Sequence, residues 1–336
     1  MKRIVITFFL CALSCGLFAQ TPGEVTVTDS KGDPVFSYKA DTADLVMRRT
    51  PAAIMTYRQK DPAEFIRLLA EYINEKAVSV YDKVKKAHDW VAIFIKYDTQ
   101  SYFSGRYASQ GYDSVLKRGM AVCAGYAQLF KMICDALNIE CRIVEGYARG
   151  YSSNVFNNEL PINTNHDWNI VTIDGKQFLL DCTWDSGYVD GWNFVNRYKS
   201  EYFFADPKIF IYEHFPENKA NQLLEKPLSA QEFAELPFLE LRFLQSIESH
   251  PELLRINEVE AGEELSFEFT AKPRYGISYR WISVTAGTVA GPVYSGRTVR
   301  VNMPKLKPGK YILRISIQNP GENIYWQCAQ YGFIVK

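Results

Sequence analysis

Three residues whose types and spacing could do nucleophilic chemistry lie between Gly119 and Gly187: Cys123, His166 and Asp181. After the cysteine, Tyr126, Leu129, Phe130, Ile133 and Leu137 recur at spacings of three and four. That period predicts an amphipathic helix stopping near Asn138. Cys123 then falls in or beside its first turn, where unpaired N–H groups and the positive end of the helix dipole favour a thiolate. The same N–H groups could hold an oxyanion once a carbonyl is attacked. An isolated cysteine at a helix start is more often inert and buried, so the other two residues must carry the case.

Residues 166–173 and 176–183 read as two strands joined by Asp174-Gly175, a hairpin signal. A two-residue loop pairs 173 with 176 and, carried through, 168 with 181 and 166 with 183. His166 then shares a face with Trp168, Ile170, Asp181 and Thr183, with Asp181 as its diagonal neighbour. An aspartate there can accept the imidazole N–H, fix the tautomer and leave the other nitrogen facing sulfur. A slip of one residue would put the pair on opposite faces. Asp185 is the competing acceptor; otherwise it is a turn residue bonding its own backbone before Ser186-Gly187. Asp181 is the stronger choice because it sits inside the apolar run FLLDCTW, where a carboxylate is costly without a donor. His88, Trp90 and His214 read as packing or structural residues.

The pattern CAGYAQLF, then GYARG, then HDWNIVTIDGKQFLLDCTW resembles the transglutaminase-like superfamily of papain-related folds. The flanks KAHDWVAIFIKYD and EYFFADPKIFIYEHFPENKANQLL resemble the kyphoscoliosis peptidase family, so the resemblance spans about residues 80–240. It implies an α+β papain/transglutaminase-like core in which the helix bearing the cysteine packs on an antiparallel sheet. It also implies Cys123 as nucleophile, His166 as base and Asp181 as its orienting partner. Alanine is usual in the family where Asp167 stands, and tryptophan where Asn221 stands. By the hairpin register Asp167 points away from the triad.

The chain has 336 residues, enough for two domains, and its 47% hydrophobic and 23% charged content is that of a globular protein. The formal net charge is zero, which gives no electrostatic case for nucleic acid or an anionic membrane. Lys2 and Arg3 precede an apolar run, Ile4 to Phe18, too short to span a bilayer comfortably. With Ala19 before Gln20 as a cleavage point, residues 1–19 read as a secretory signal peptide, implying a periplasmic or extracellular protein. A lipid anchor on Cys15 fits the local residues less well. Cleavage leaves 36 basic against 38 acidic residues and five cysteines: 123, 134, 141, 182 and 328. An odd count leaves at least one thiol unpaired, and Cys123 is the candidate.

The supporting elements follow in order. Residues 20–60 are a lead-in with a short strand and a turn near Gly32-Asp33-Pro34. Asp61-Pro62 opens a helix, and a second begins near Ser79. Residues 97–112, rich in Tyr, Ser and Gly, are a loop or a wall of the cleft. Asp113 to Lys117 is a short helix, Cys141 to Ala148 a strand, and 149–165 a loop delivering His166. Trp192, Phe194 and Tyr198 are placed at a cleft rim. Residues 61–247 form the catalytic domain, whose last part from Leu228 is a docking or linker segment. From Pro251 short alternating runs, among them LSFEFTA, ISYRWISV and KYILRISIQN, predict an immunoglobulin-like β-sandwich over 251–336. A cut between 247 and 251 is expected to leave a folded N-terminal piece.

No Gly-rich phosphate loop, CxxC pair or HExxH pair is present, so metal and nucleotide cofactors have no support. The reading is an exported cysteine peptidase or amidase acting on a peptide or protein through a thioester. The alternatives are an amine-accepting transglutaminase, a binding protein on the same fold, and an adhesion protein whose C-terminal sandwich carries the function.

Overall fold

The computed structural model describes residues 24–28, 32–150, 153–156, 164–288 and 295–336. The expected signal segment 1–19 lies outside the described residues. The described chain divides into one unit ending at Ala40 and a second running Asp41–Lys336. The first is an antiparallel hairpin, Glu24–Thr28 against Pro34–Lys39.

In the second unit, α1 (Pro62–Lys76) opens as its sequence predicts: Asp61 accepts from the Glu64 N–H and Pro62 fills the first helical position. Helix α2 (Val80–Phe94) is capped by Ser79, which accepts from Asp82. Thr99–Ser104 is also helical, capped by Asp98, where an irregular loop was expected. Helix α3 (Cys123–Ala136) buries Tyr126, Leu129, Phe130 and Ile133. That face packs on β1 (Glu140–Ala148) and β2 (His166–Ile173). Asn169 Nδ2 donates across this interface to the Ala127 carbonyl at 3.1 Å.

The hairpin turn has the predicted chemistry. Asp174 and Gly175 both take positive φ, 50° and 77°, which matches the right-handed strand twist. β2 pairs with β3 (Lys176–Leu180) in the expected register, from Ile173↔Lys176 to Asn169↔Leu180. There the expectation fails. The strand stops at Leu180, because Asp181 turns out of it to cap α4 (Cys182–Ser186), accepting from the Thr183 and Trp184 N–H groups. Thr183 therefore never faces His166 across a ladder. With β4 (Phe203–Ala205) and β5 (His214–Pro216), these strands form an antiparallel sheet ordered β4-β3-β2-β1-β5. Gly146 on β1 is the register partner of His166. A Cβ on Gly146 would lie 2.4 Å from both the Phe215 carbonyl and the Trp168 ring, so only glycine lets β5 close on the sheet here.

The segment from Leu228, expected to dock or to link, is built into the C-terminal sheets. Arg149 donates to the carbonyls of Tyr212, Phe233, Leu236 and Pro237, which ties this segment to the end of β1. β6 (Phe238–Leu239) pairs with the last strand, and α5 (Leu241–Ser246) places Leu241 and Phe243, both fully buried, in different clusters. Leu241 packs in the core under β2 and β3; Phe243 packs with the C-terminal residues. Beyond it come β7 (Ser266–Ala271), β8 (Gly276–Ser283), β9 (Thr298–Asn302), β10 (Gly309–Gln318) and β11 (Tyr325–Val335). One sheet runs β6-β11-β10-β8; β7 lies between β9 and the strand Ile247–Ser249 in another. Phe269, Val301, Trp281 and Leu313, drawn from both sheets, share one core.

Because Phe243 is fully buried in that shared core, Phe243→Ala is expected to cost about 3–5 kcal/mol. Chemical denaturation of the full chain measures this. A loss under about 1 kcal/mol would mean that α5 is not anchored there. For the same reason, a cut at 247–251 removes the neighbours that bury Leu239 and Phe243.

Candidate active site

Cys123 is the first residue of α3, half-buried, and no side chain caps the helix. Gly125 and Tyr126 both donate to the Val122 carbonyl. The Cys123 and Ala124 N–H groups are then the ones for which the helix itself offers no acceptor. The Val122 N–H donates to Gln110 Oε1 at 3.1 Å. Gly125 makes that approach possible, since a Cβ there would come within 2.6 Å of the same oxygen. Gln110 escaped the sequence reading because a Tyr/Ser/Gly-rich loop gives no periodic signal. The remaining described cysteines, 134, 141, 182 and 328, are buried, and all five are free.

His166 and Asp181 do meet, but from a strand and a helix cap and not across a ladder: Nε2 donates to Oδ2 at 2.6 Å. Burial alone would disfavour an imidazolium at His166. The charge and hydrogen bond of Asp181 outweigh it, Cys123 adds to them, and the group is pushed up to about 10. Burial likewise acts against an ionised Asp181, but His166 and then His214 hold it well below the usual carboxylate range. Since Nε2 is committed to Asp181, the Nδ1 side is left for the sulfur. The arrangement can hold a thiolate–imidazolium pair and move a proton between sulfur and a leaving group.

His214, read as structural from sequence, is part of this site. Its Nε2 donates to the same Asp181 Oδ2 at 3.1 Å, its ring stacks on Phe210 at 4.1 Å, and its buried Nδ1 has no partner among the described residues. Burial pushes it down to about 4 in spite of Asp181. His214 is therefore a neutral donor with its proton on Nε2. No local signal marks it, because β5 reaches Asp181 only through pairing with β1. His166, Asp181 and His214 offer three ligand atoms within 4.8 Å of one another, a set that could hold a metal ion. The two hydrogen bonds to Oδ2 already account for their convergence.

Asp185 is not a turn residue. It lies in α4, fully buried, and accepts from His88 Nε2 at 3.0 Å and from the Tyr202 N–H at 3.1 Å. His88 Nδ1 faces Asp89 Oδ1 at 3.0 Å, so both ring nitrogens meet carboxylates. Burial works against charging His88, yet Asp185 and Asp89 raise it above its ordinary value. Lys85 and Tyr198 complete the cluster on Asp89. Tyr198 thus belongs to a buried network and not to a cleft rim. The network clamps α4 to α2 and so fixes the helix that Asp181 caps.

A cavity of about 620 Å³ opens beside His166 and Trp184. Tyr97, Tyr102 and Phe194 line one end, in keeping with the expected aromatic wall, while Trp192 is 70% exposed outside it. Cys123 is not in the lining. It adjoins the cavity through His166 and through Tyr97, whose hydroxyl is raised by burial and then by the charge of Cys123. Asp167 pairs with Glu145 across β1 and β2, away from the cluster.

Two substitutions separate the aspartates. Asp181→Asn is expected to slow alkylation of Cys123 by iodoacetamide by about 10²-fold or more, through lost imidazolium stabilisation. Asp185→Asn leaves the His166 bond in place but breaks a buried pair, so it should cost about 3–5 kcal/mol of stability with a smaller loss of rate. Parallel alkylation kinetics and denaturation curves check this; exchanged effects would reverse the assignment.

Residues 67–182, which include all three triad candidates, match the family model of the transglutaminase-like superfamily. The mouse and human kyphoscoliosis peptidases are each 31% identical over 205 residues, 59% of this chain and 30% of theirs. The Lim and transglutaminase domain protein ltd-1 of Caenorhabditis elegans is 32% identical over 138 residues, 36% of this chain and 18% of its own. The chain therefore spans less than a third of the length of the curated relatives it matches. Within that reach the likeness is direct: residues 67–182 form a transglutaminase-like domain, and the chain is similar over a longer stretch to the kyphoscoliosis peptidases.

Proposed function

We propose that the chain is a cysteine peptidase or amidase. Cys123 Sγ attacks an amide carbonyl and His166 protonates the leaving nitrogen. Water, activated by the same imidazole, then releases the acyl group from its thioester. The N–H groups at the start of α3 are placed to receive the oxyanion, and Asp181 orients His166. The observation that carries this reading is the position of His166, bonded to Asp181 at 2.6 Å while Cys123 stabilises its charged form. Water is taken as the acyl acceptor because it is the abundant one.

Other parts of the proposal rest on sequence pattern. Residues 61–247 are assigned as the catalytic domain, and the C-terminal strands over 251–336 as an immunoglobulin-like sandwich. The basic and apolar start over 1–19 supports export to the periplasm or beyond as a signal peptide. Among the described residues, no helix is long and apolar enough to cross a membrane. The substrate is a peptide or protein.

Reactivity of the thiol tests the reading without a known substrate. Native Cys123 should react with iodoacetamide at least about 10-fold faster than the same cysteine in the denatured chain at neutral pH. His166→Ala should remove that advantage, and Cys123→Ala should abolish turnover of any substrate while keeping the fold. Equal rates in native and denatured chains would refute a poised thiolate.

A further inference from the structure

The cavity beside His166 does not end in the transglutaminase-like core. Its far wall is the outer face of the C-terminal sheet, where Ile312, Arg314 and Gln330 join the lining. Alternation along β10 explains this: Leu313 and Ile315 are fully buried in the sandwich core, so Ile312 and Arg314 face the other way. Arg314 and Gln330 are direct partners across β10 and β11.

Besides the His166 imidazole, three lysine or arginine side chains among the described residues line the cavity, and two are engaged. Arg149 donates to four backbone carbonyls, and Lys199 pairs with Glu201 at 3.3 Å. The Arg314 guanidinium has no hydrogen bond or ion pair among the described residues. Among the described residues its buried Nε has no acceptor and the buried Oε1 of Gln330 has no donor. Burial and then the charge of Arg280, its neighbour on β8, both push Arg314 below its ordinary value, as expected for a cation lacking a counter-charge. Neither acid of the cavity, Glu213 or Glu240, forms an ion pair with Arg314 among the described residues. Burial raises Glu213 well above the carboxylate range while it accepts from Tyr202 and from the Leu241 N–H, and it pushes Glu240 up to about 7. A half-buried guanidinium beside an unsatisfied amide, in a cavity that begins at the catalytic imidazole, is suited to a carboxylate on a chain that also offers an N–H.

We propose that the outer face of the C-terminal sheet is a specificity subsite of the cleft, in which Arg314, with Gln330 beside it, receives a carboxylate of the peptide substrate. The C-terminal strands thus select what the Cys123–His166 pair cleaves. This deepens the thiol-hydrolase reading and rests on it.

The test uses the full chain and peptidyl epoxysuccinates, electrophiles that can be extended from either end. Matched probes carry glutamate or glutamine as a side chain, or a free or amidated C-terminus, so the two sources of carboxylate are read separately. In the unsubstituted chain one carboxylate probe should inactivate about 10-fold or more faster than its amide twin, the range of a hydrogen bond to a charged group. Arg314→Gln should erase that preference, Arg314→Lys should keep part of it, and iodoacetamide should react at an unchanged rate in each. A preference absent from the unsubstituted chain, or surviving in Arg314→Gln, would overturn the subsite. Should iodoacetamide reveal no poised thiol, the peptidase reading fails by itself. The same peptides without electrophile, titrated against the fluorescence of Trp184 in the cavity wall, then decide the subsite alone: it stands if Arg314→Gln removes a carboxylate preference in binding and falls otherwise.

Discussion

An ionised carboxylate at 1% exposure is the constraint on which this site depends. Asp181 survives there because four donors converge on it: the Thr183 and Trp184 N–H groups on Oδ1, and the His166 and His214 rings on Oδ2. The four donors tie down three parts of the molecule. The N–H groups start α4, His166 comes from β2, and His214 from the sheet edge at β5. Withdrawing any of them leaves a charge in a low-dielectric surrounding, which is expensive enough to keep all four in place. The geometry of the candidate triad is thus a by-product of satisfying one buried anion.

The two imidazoles on Oδ2 are unlike. His166 borders the cavity and Cys123, and is held charged; His214 is stacked among Phe210, Trp184 and Trp168, and is held neutral. Two positive rings on one oxygen would repel: Asp181 and Cys123 outweigh burial at His166, whereas at His214 burial prevails. Behind them, His88 between Asp89 and Asp185 repeats the theme of carboxylate and imidazole, but as a clamp. It holds α4 from the other side.

Much of this was legible in the chain. The Asp174-Gly175 turn sets a register, and the register brings His166 to Asp181; the period of apolar residues after Cys123 puts the thiol at a helix start. What escaped depends on contacts distant in sequence. His214 reaches Asp181 across 33 residues and His88 reaches Asp185 across 97, so no spacing rule announces either. The end of β3 at Leu180 was missed because a capping aspartate and a strand aspartate look alike inside FLLDCTW. Docking and linking could not be told apart after Leu228, because its strands are only two or three residues long and their partners lie further along the chain.

The central claim is that Asp181 holds His166 charged and His214 neutral at neutral pH. Nitrogen NMR of isotopically labelled imidazoles reads this directly. The account predicts both His166 nitrogens protonated and His214 carrying its proton on Nε2 alone, with the His166 signature collapsing in Asp181→Asn. A neutral His166, or a His214 protonated at both nitrogens, would contradict it.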